Sequence, residues 1–88
     1  MTWTVRYRDE EAFARLERIP EPDRRRIAAK IERLAQDPFP PGCKKLHMQP
    51  THYRIRSGNF RVIYTINTAE HLVVITRVRD RKNAYRGL

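Results

Sequence analysis

Apolar and polar positions alternate most clearly from Tyr53 to Ile66, YRIRSGNFRVIYTI. Two alternating runs around Gly58-Asn59 predict a β-hairpin with a two-residue loop. That loop sets the cross-strand partners as Ser57 with Phe60, Arg56 with Arg61, Ile55 with Val62 and Tyr53 with Tyr64. Side chains alternate faces along a strand, so Tyr53, Ile55, Phe60, Val62, Tyr64 and Ile66 share one apolar face. Arg54, Arg56 and Arg61 fall on the other, and His52 lies on the Arg54 side. Like charges directly opposite one another destabilise a sheet. The Arg56–Arg61 pair therefore predicts a face built to meet something negative.

Upstream, Thr2 to Arg8 sets Trp3, Val5 and Tyr7 against Thr4, Arg6 and Arg8, the pattern of a half-buried strand. Asp9 is placed to cap a helix running to Ile19, with Glu10 and Glu11 at its positive end. Phe13 and Leu16, with Ala12 and Ile19, form its predicted buried stripe, and Pro20 stops it. A second helix starts near Pro22-Asp23 and buries Ile27, Ile31, Leu34 and Ala35. Its basic residues Arg24, Arg25, Arg26, Lys30 and Arg33 are interspersed with Glu21, Asp23 and Glu32, which reads as a solvated helix face. The segment Asp37-Pro38-Phe39-Pro40-Pro41-Gly42 ends the helix as a stiff connector. A short strand from Lys44 to Met48, a turn at Gln49-Pro50-Thr51, the hairpin, a loop at Asn67–His71 and a last strand from Leu72 to about Arg79 follow. Pairing Ile66 with Leu72 would put Leu72, Val74, Thr76 and Val78 in the core. Val73, Ile75, Arg77 and Arg79 would then join the arginine face, with Arg77 beside Arg61. A one-residue slip would instead bury Arg77 and Arg79. The expected fold is α+β: one domain over residues 1–88, with an N-terminal strand and a helical hairpin packed on a mainly antiparallel, twisted sheet of four or five strands.

Charge sharpens this picture. The 88 residues carry a formal net charge of +9. Residues 1–43 hold 9 basic and 8 acidic side chains, whereas residues 44–88 hold 10 basic and only 2 acidic ones, Glu70 and Asp80. Almost all of the net charge sits in the half containing the hairpin, which points to a polyanionic partner. No stretch is long and apolar enough to span a membrane, and the N-terminal residues lack the apolar core of a signal peptide. The single cysteine, Cys43, excludes an internal disulfide and fits a reducing cytosol; it reads as a small core filler. No His, Cys or Asp spacing resembles a metal site. The tail DRKNAYRGL brings Arg81, Lys82, Tyr85 and Arg86 to the edge of the arginine face.

The order of strand, helical hairpin, DP-x-PPG connector, KKL, YRIRSGNFRVIY and RKNAYR resembles the RelE toxins of the RelE/ParE toxin–antitoxin superfamily over nearly the whole chain. The resemblance implies a ribosome-dependent mRNA endonuclease without cofactor or metal, located in the cytoplasm. Its partners would be the ribosome and a silencing RelB-type antitoxin, in a heterotetramer or larger complex. The RNA's 2′-OH would attack the adjacent phosphate in the ribosomal A site. The matching motif makes Arg61 a phosphate binder, and Arg54 and Arg56 stand where the prototype has lysines. Arg81 would stabilise the transition state, and Tyr85 would stack on a base or assist proton transfer. Lys44, Lys45, Arg77, Arg79, Lys82 and Arg86 are further phosphate-binding candidates.

Guanidinium groups suit phosphate because they present a planar fork of donors and stay charged. They accept no proton. Proton transfer therefore falls to Tyr85, Asp80 or a histidine, of which His52 is best placed; His47 and His71 read as exposed. Asp80 stands where many relatives have histidine and is expected to pair with Arg79 or Arg81, since a carboxylate amid arginines is a poorer base. Three other readings compete: a ParE-like DNA gyrase poison, a non-catalytic nucleic-acid-binding module, and a face that only docks the antitoxin. The full basic and tyrosine set argues against the first, and the scarcity of exposed aromatic stacking residues against the second.

Overall fold

The computed structural model describes residues 2–47 and 52–86. Strand β1 (Thr4–Tyr7) leads into helices α1 (Glu10–Glu17) and α2 (Asp23–Arg33). Strands β2 (Lys44–Lys45), β3 (His52–Ser57), β4 (Phe60–Asn67) and β5 (Leu72–Asp80) complete the chain. They form one five-stranded sheet in the order β1-β5-β4-β3-β2. Only the β1–β5 pair is parallel; the other three are antiparallel. This is the expected α+β domain.

Helix α1 starts where Asp9 stops being helical: Asp9 Oδ1 accepts the Ala12 amide at 2.9 Å, satisfying one of the free N–H groups of the first turn. Ala12, Leu16 and Ile19 are buried, but Phe13 is 46% exposed and meets Tyr7 edge-on, so it is not part of the stripe. Ile27, Ile31 and Leu34 are buried on α2, whereas Ala35 is only half-buried. These residues close over Ile55, Val62, Tyr64, Val73, Ile75 and Val78, with Trp3, Val5, Tyr7 and Cys43 packed against the same core. The expected Lys44–Met48 strand is only two residues long in its described part. Met48 and the expected turn at Gln49-Pro50-Thr51 lie outside the described residues.

The hairpin has the expected register in full, from Tyr53↔Tyr64 to Ser57↔Phe60, and Gly58 takes the positive φ of 58° that its loop position demands. Strand β5 departs from expectation. Ile66 pairs with Val73 rather than Leu72, and Arg61 pairs with Arg79 rather than Arg77. The register shifts between Ile63 and Tyr64, leaving Thr76 as the extra residue of a β-bulge. Its hydroxyl donates to the Ile63 carbonyl at 3.0 Å. The bulge removes the conflict that had favoured the other register. Val73, Ile75 and Val78 all reach the core, and Arg77 and Arg79 still stay out of it.

Candidate functional site

The sheet face away from the helices is a basic surface built by strand alternation. Strand β3 contributes His52, Arg54 and Arg56, and β4 contributes Arg61 and Ile63. Strand β5 adds Arg77 and Arg79 beyond the bulge, and β2 adds Lys44 opposite Arg54. Lys45 pairs with Tyr53, so alternation sends it to the helix side rather than to this face.

Arg61 lies at the centre. It is 7% exposed, and its Nη1 donates to the carbonyls of Gly58 at 3.2 Å and Phe60 at 3.0 Å. The hairpin's own backbone therefore aims the guanidinium. Burial lowers its pKa, and the neighbouring charges of Arg56, Arg54 and Arg81 lower it further, while Tyr85 acts in the opposite direction. An arginine retains its proton nevertheless. Arg54 is 4% exposed, and its Nε has no hydrogen-bond partner. Every ion pair among the described residues involves residues 8–26, none of them on β2–β5 or the tail. A buried cation without a counter-charge is costly, and adjacent strands of one face carry two, Arg54 and Arg61. Such a site is complementary to an anion.

The tail closes the site. Residues 81–86 form turns in which the Arg81 amide donates to Asn59 O at 2.7 Å, tying the tail to the hairpin loop. Ala84 is fully buried, as is Ile63, an apolar residue that alternation along β4 puts on the basic face. Arg77 Nη1 donates to Ala84 O at 3.3 Å and also to Arg86 O, so Arg77 clasps the tail. Asp80 makes no ion pair with Arg79 or Arg81, contrary to expectation. Its Oδ1 accepts the amides of Lys82 at 3.0 Å and Asn83 at 3.1 Å, and the Asn83 side chain as well. Lys82 and Arg86 are exposed on these turns, and Tyr85 is 36% exposed and acts to raise the Arg61 pKa.

The remaining candidates separate. Arg79, though paired with Arg61 in the ladder, lines a cleft with Arg15 and Arg18 at the end of α1; burial, then the charges of Arg15 and Arg77, lowers its pKa. His52 lies on the basic face as expected, with a buried, unpartnered Nδ1. Burial, then the charges of Arg8 and Arg77, holds its pKa below the ordinary 6.5. That shift favours the neutral ring, which can accept a proton, but His52 is four residues along β3 from Arg56, about 13 Å. Arg8 was not singled out from the sequence. Tyr7 pairs with Ile75 on the core side, so the next residue belongs to the basic face. Only the parallel pairing of β1 with β5 brings it there. His47 and His71 are exposed. No group of three or more His, Cys, Asp or Glu able to hold a metal occurs among the described residues. No helix among them is long and apolar enough to cross a membrane.

Comparison with known proteins adds a family. A family profile described as the ParE toxin of type II toxin–antitoxin system, parDE, matches residues 7–85. The RelE1 protein of Methanocaldococcus jannaschii is 28% identical over 75 residues, covering 82% of this chain and 83% of that protein. The archaeal RelE–RelB complex from Pyrococcus horikoshii superposes with a TM-score of 0.80 at 27% identity, over 96% of this chain and 100% of that one. The isolated RelE toxin of E. coli shares the fold, with a TM-score of 0.76 at 19% identity over 89% of this chain and 83% of that one.

Proposed function

The chain belongs to the RelE/ParE family of toxins of type II toxin–antitoxin systems, and from that premise we propose that it is an mRNA endonuclease acting on translating ribosomes in the cytoplasm. The observation that carries this reading is the buried Arg61 with Arg54, Arg56, Arg81 and Tyr85 around it and, among the described residues, no carboxylate paired to any of the arginines. In the proposed reaction the 2′-oxygen of a ribonucleotide in the A site attacks the adjacent phosphorus and gives up its proton to Tyr85 or solvent. The bond from phosphorus to the 5′-oxygen breaks, and that oxygen takes up a proton by the same route, leaving a cyclic phosphate and a free 5′-OH. Arg61 and Arg81 stabilise the charge that builds on the phosphoryl oxygens, where each well-placed donor is worth a few kcal/mol. Arg54 and Arg56 hold the strand so that attacking and leaving oxygens are in line. Tyr85 is the group at the site equipped to stack on the base or relay a proton. The same face is where a RelB-type antitoxin would silence it.

Mapping RNA 5′ ends on translating ribosomes tests the proposal. Cuts at A-site codons are expected, falling by about 10²–10³-fold with Arg61→Ala. A smaller loss with Tyr85→Phe would assign it stacking rather than proton transfer. The family profile is that of ParE toxins, which favours gyrase poisoning as the second reading. Folded, antitoxin-free protein that makes no ribosome-dependent cuts but traps gyrase–DNA cleavage complexes would replace the first reading with the second.

A further inference from the structure

Strand β2 pairs only with Tyr53 and Arg54, so the outer edge of β3 is open from Ile55 onward. The preceding connector cannot extend the ladder: Pro40 and Pro41 have no N–H to donate, and Gly42 turns the chain at φ 88°. In place of a strand, Lys30 of α2 reaches across and its Nζ donates to the Arg56 carbonyl at 2.7 Å. A cleft of about 610 Å³ remains between α2, the connector and this edge. Its polar wall is Lys30, Arg33, Lys44, Arg54 and Arg56, and no acidic residue lines it among the described residues. None of these five makes an ion pair among the described residues, whereas Arg24, Arg25 and Arg26, near the start of the same helix, are paired with Glu21 or Asp23. Helix α2 thus neutralises its first arginines and leaves Lys30 and Arg33 unpaired beside the cleft.

We infer that this cleft is a second phosphate-binding subsite, taking the backbone of a nucleotide that flanks the reacting one on the same RNA strand. The inference rests on the RNA reading above. Arg54 and Arg56 line both the cleft and the face around Arg61, so a strand held at Arg61 can continue over the β3 edge without leaving positive potential. Two strand spacings, about 10 Å, separate β4 from β2, a distance that a few nucleotides cover. Charge complementarity alone would also attract an acidic peptide. The apolar floor, however, is two prolines and the buried Ile55, without the row of pockets that an amphipathic helix needs for its i, i+3/i+4, i+7 anchors.

The test is equilibrium binding of purified, antitoxin-free protein to 2′-O-methylated single-stranded RNA, which cannot be cut, as a trinucleotide and as a nonanucleotide across a salt series. Wild-type protein should bind the longer RNA more tightly and with a steeper salt dependence. Arg33→Gln should weaken the longer RNA several-fold and reduce the slope of log K against log salt by about 0.7. It should leave the trinucleotide unchanged, and Arg33→Lys should restore the loss. Because Arg33 is exposed, an unchanged thermal midpoint is the check on folding. Equal effects on both lengths, or none on the longer one, would overturn the subsite. So would a variant that loses affinity for an acidic antitoxin peptide while keeping the RNA length dependence. Length-dependent binding by a wild-type protein that cuts no ribosomal message would keep the subsite and remove the endonuclease.

Discussion

Individual residues in this protein do work that the opposite choice of atom would undo. Tyr64 is fully buried, and its hydroxyl donates to Pro38 O at 2.8 Å, joining the sheet to the connector. Tyr64→Phe removes the donor and leaves a carbonyl unsatisfied. The expected cost is about 1–3 kcal/mol, read from urea denaturation, with the fold retained. His52 makes stability depend on pH. Its folded pKa is lower than that of the unfolded chain because burial and then Arg8 and Arg77 disfavour the charged ring. Between the two values the unfolded chain binds more protons. His52 therefore contributes stability that is complete above about pH 6.5 and is lost as pH falls through the folded pKa. His52→Gln should flatten that acid limb, measured as the change in denaturation midpoint between about pH 7 and about pH 5. An unchanged limb would assign the dependence to other groups.

At the scale of elements, the tail and the bulge matter most. Arg77 was expected to grip phosphate, but it grips the carbonyls of Ala84 and Arg86 instead. That makes it a positioning residue for Tyr85 and Arg81. Arg77→Met should lower kcat on the order of tenfold to a hundredfold through misplacement, with little change in KM or in salt dependence. A rise in KM with a shallower salt slope would return Arg77 to the phosphate. Asp80 is separated from the role of base by the isostere. Asp80→Asn keeps an oxygen for the Lys82 and Asn83 amides and should cleave like wild type. Asp80→Ala should lose about 1 kcal/mol and part of the activity with it. A large loss of activity in Asp80→Asn without loss of stability would restore the carboxylate as a proton acceptor.

Over the whole molecule, charge is separated between two sides. The five ion pairs among the described residues are on α1, α2 and their flanks, and on the opposite sheet face only Arg8, held by Asp9, has such a partner among them. Binding of RNA should therefore weaken steeply with salt, by about 0.7 in log–log slope for each phosphate engaged, and a flat salt series would oppose a phosphate-led interface. The hairpin register, the arginine face and the capped first helix were legible in the sequence by itself. Each depends on residues a few positions apart, where a two-residue loop, a period of two or a capping carboxylate leaves little choice. The basic tail was legible as composition and as a resemblance. The tertiary structure decided the rest. The Thr76 bulge exists because Val73 and Ile75 gain more from the helices than an unbroken ladder would return, while Arg77 and Arg79 must stay out of the core. The exposure of Phe13, the arrival of Arg8 on the basic face, the turning of Arg77 to the tail and the cleft beside β2 all follow from contacts between segments distant in sequence. No local pattern encodes those contacts.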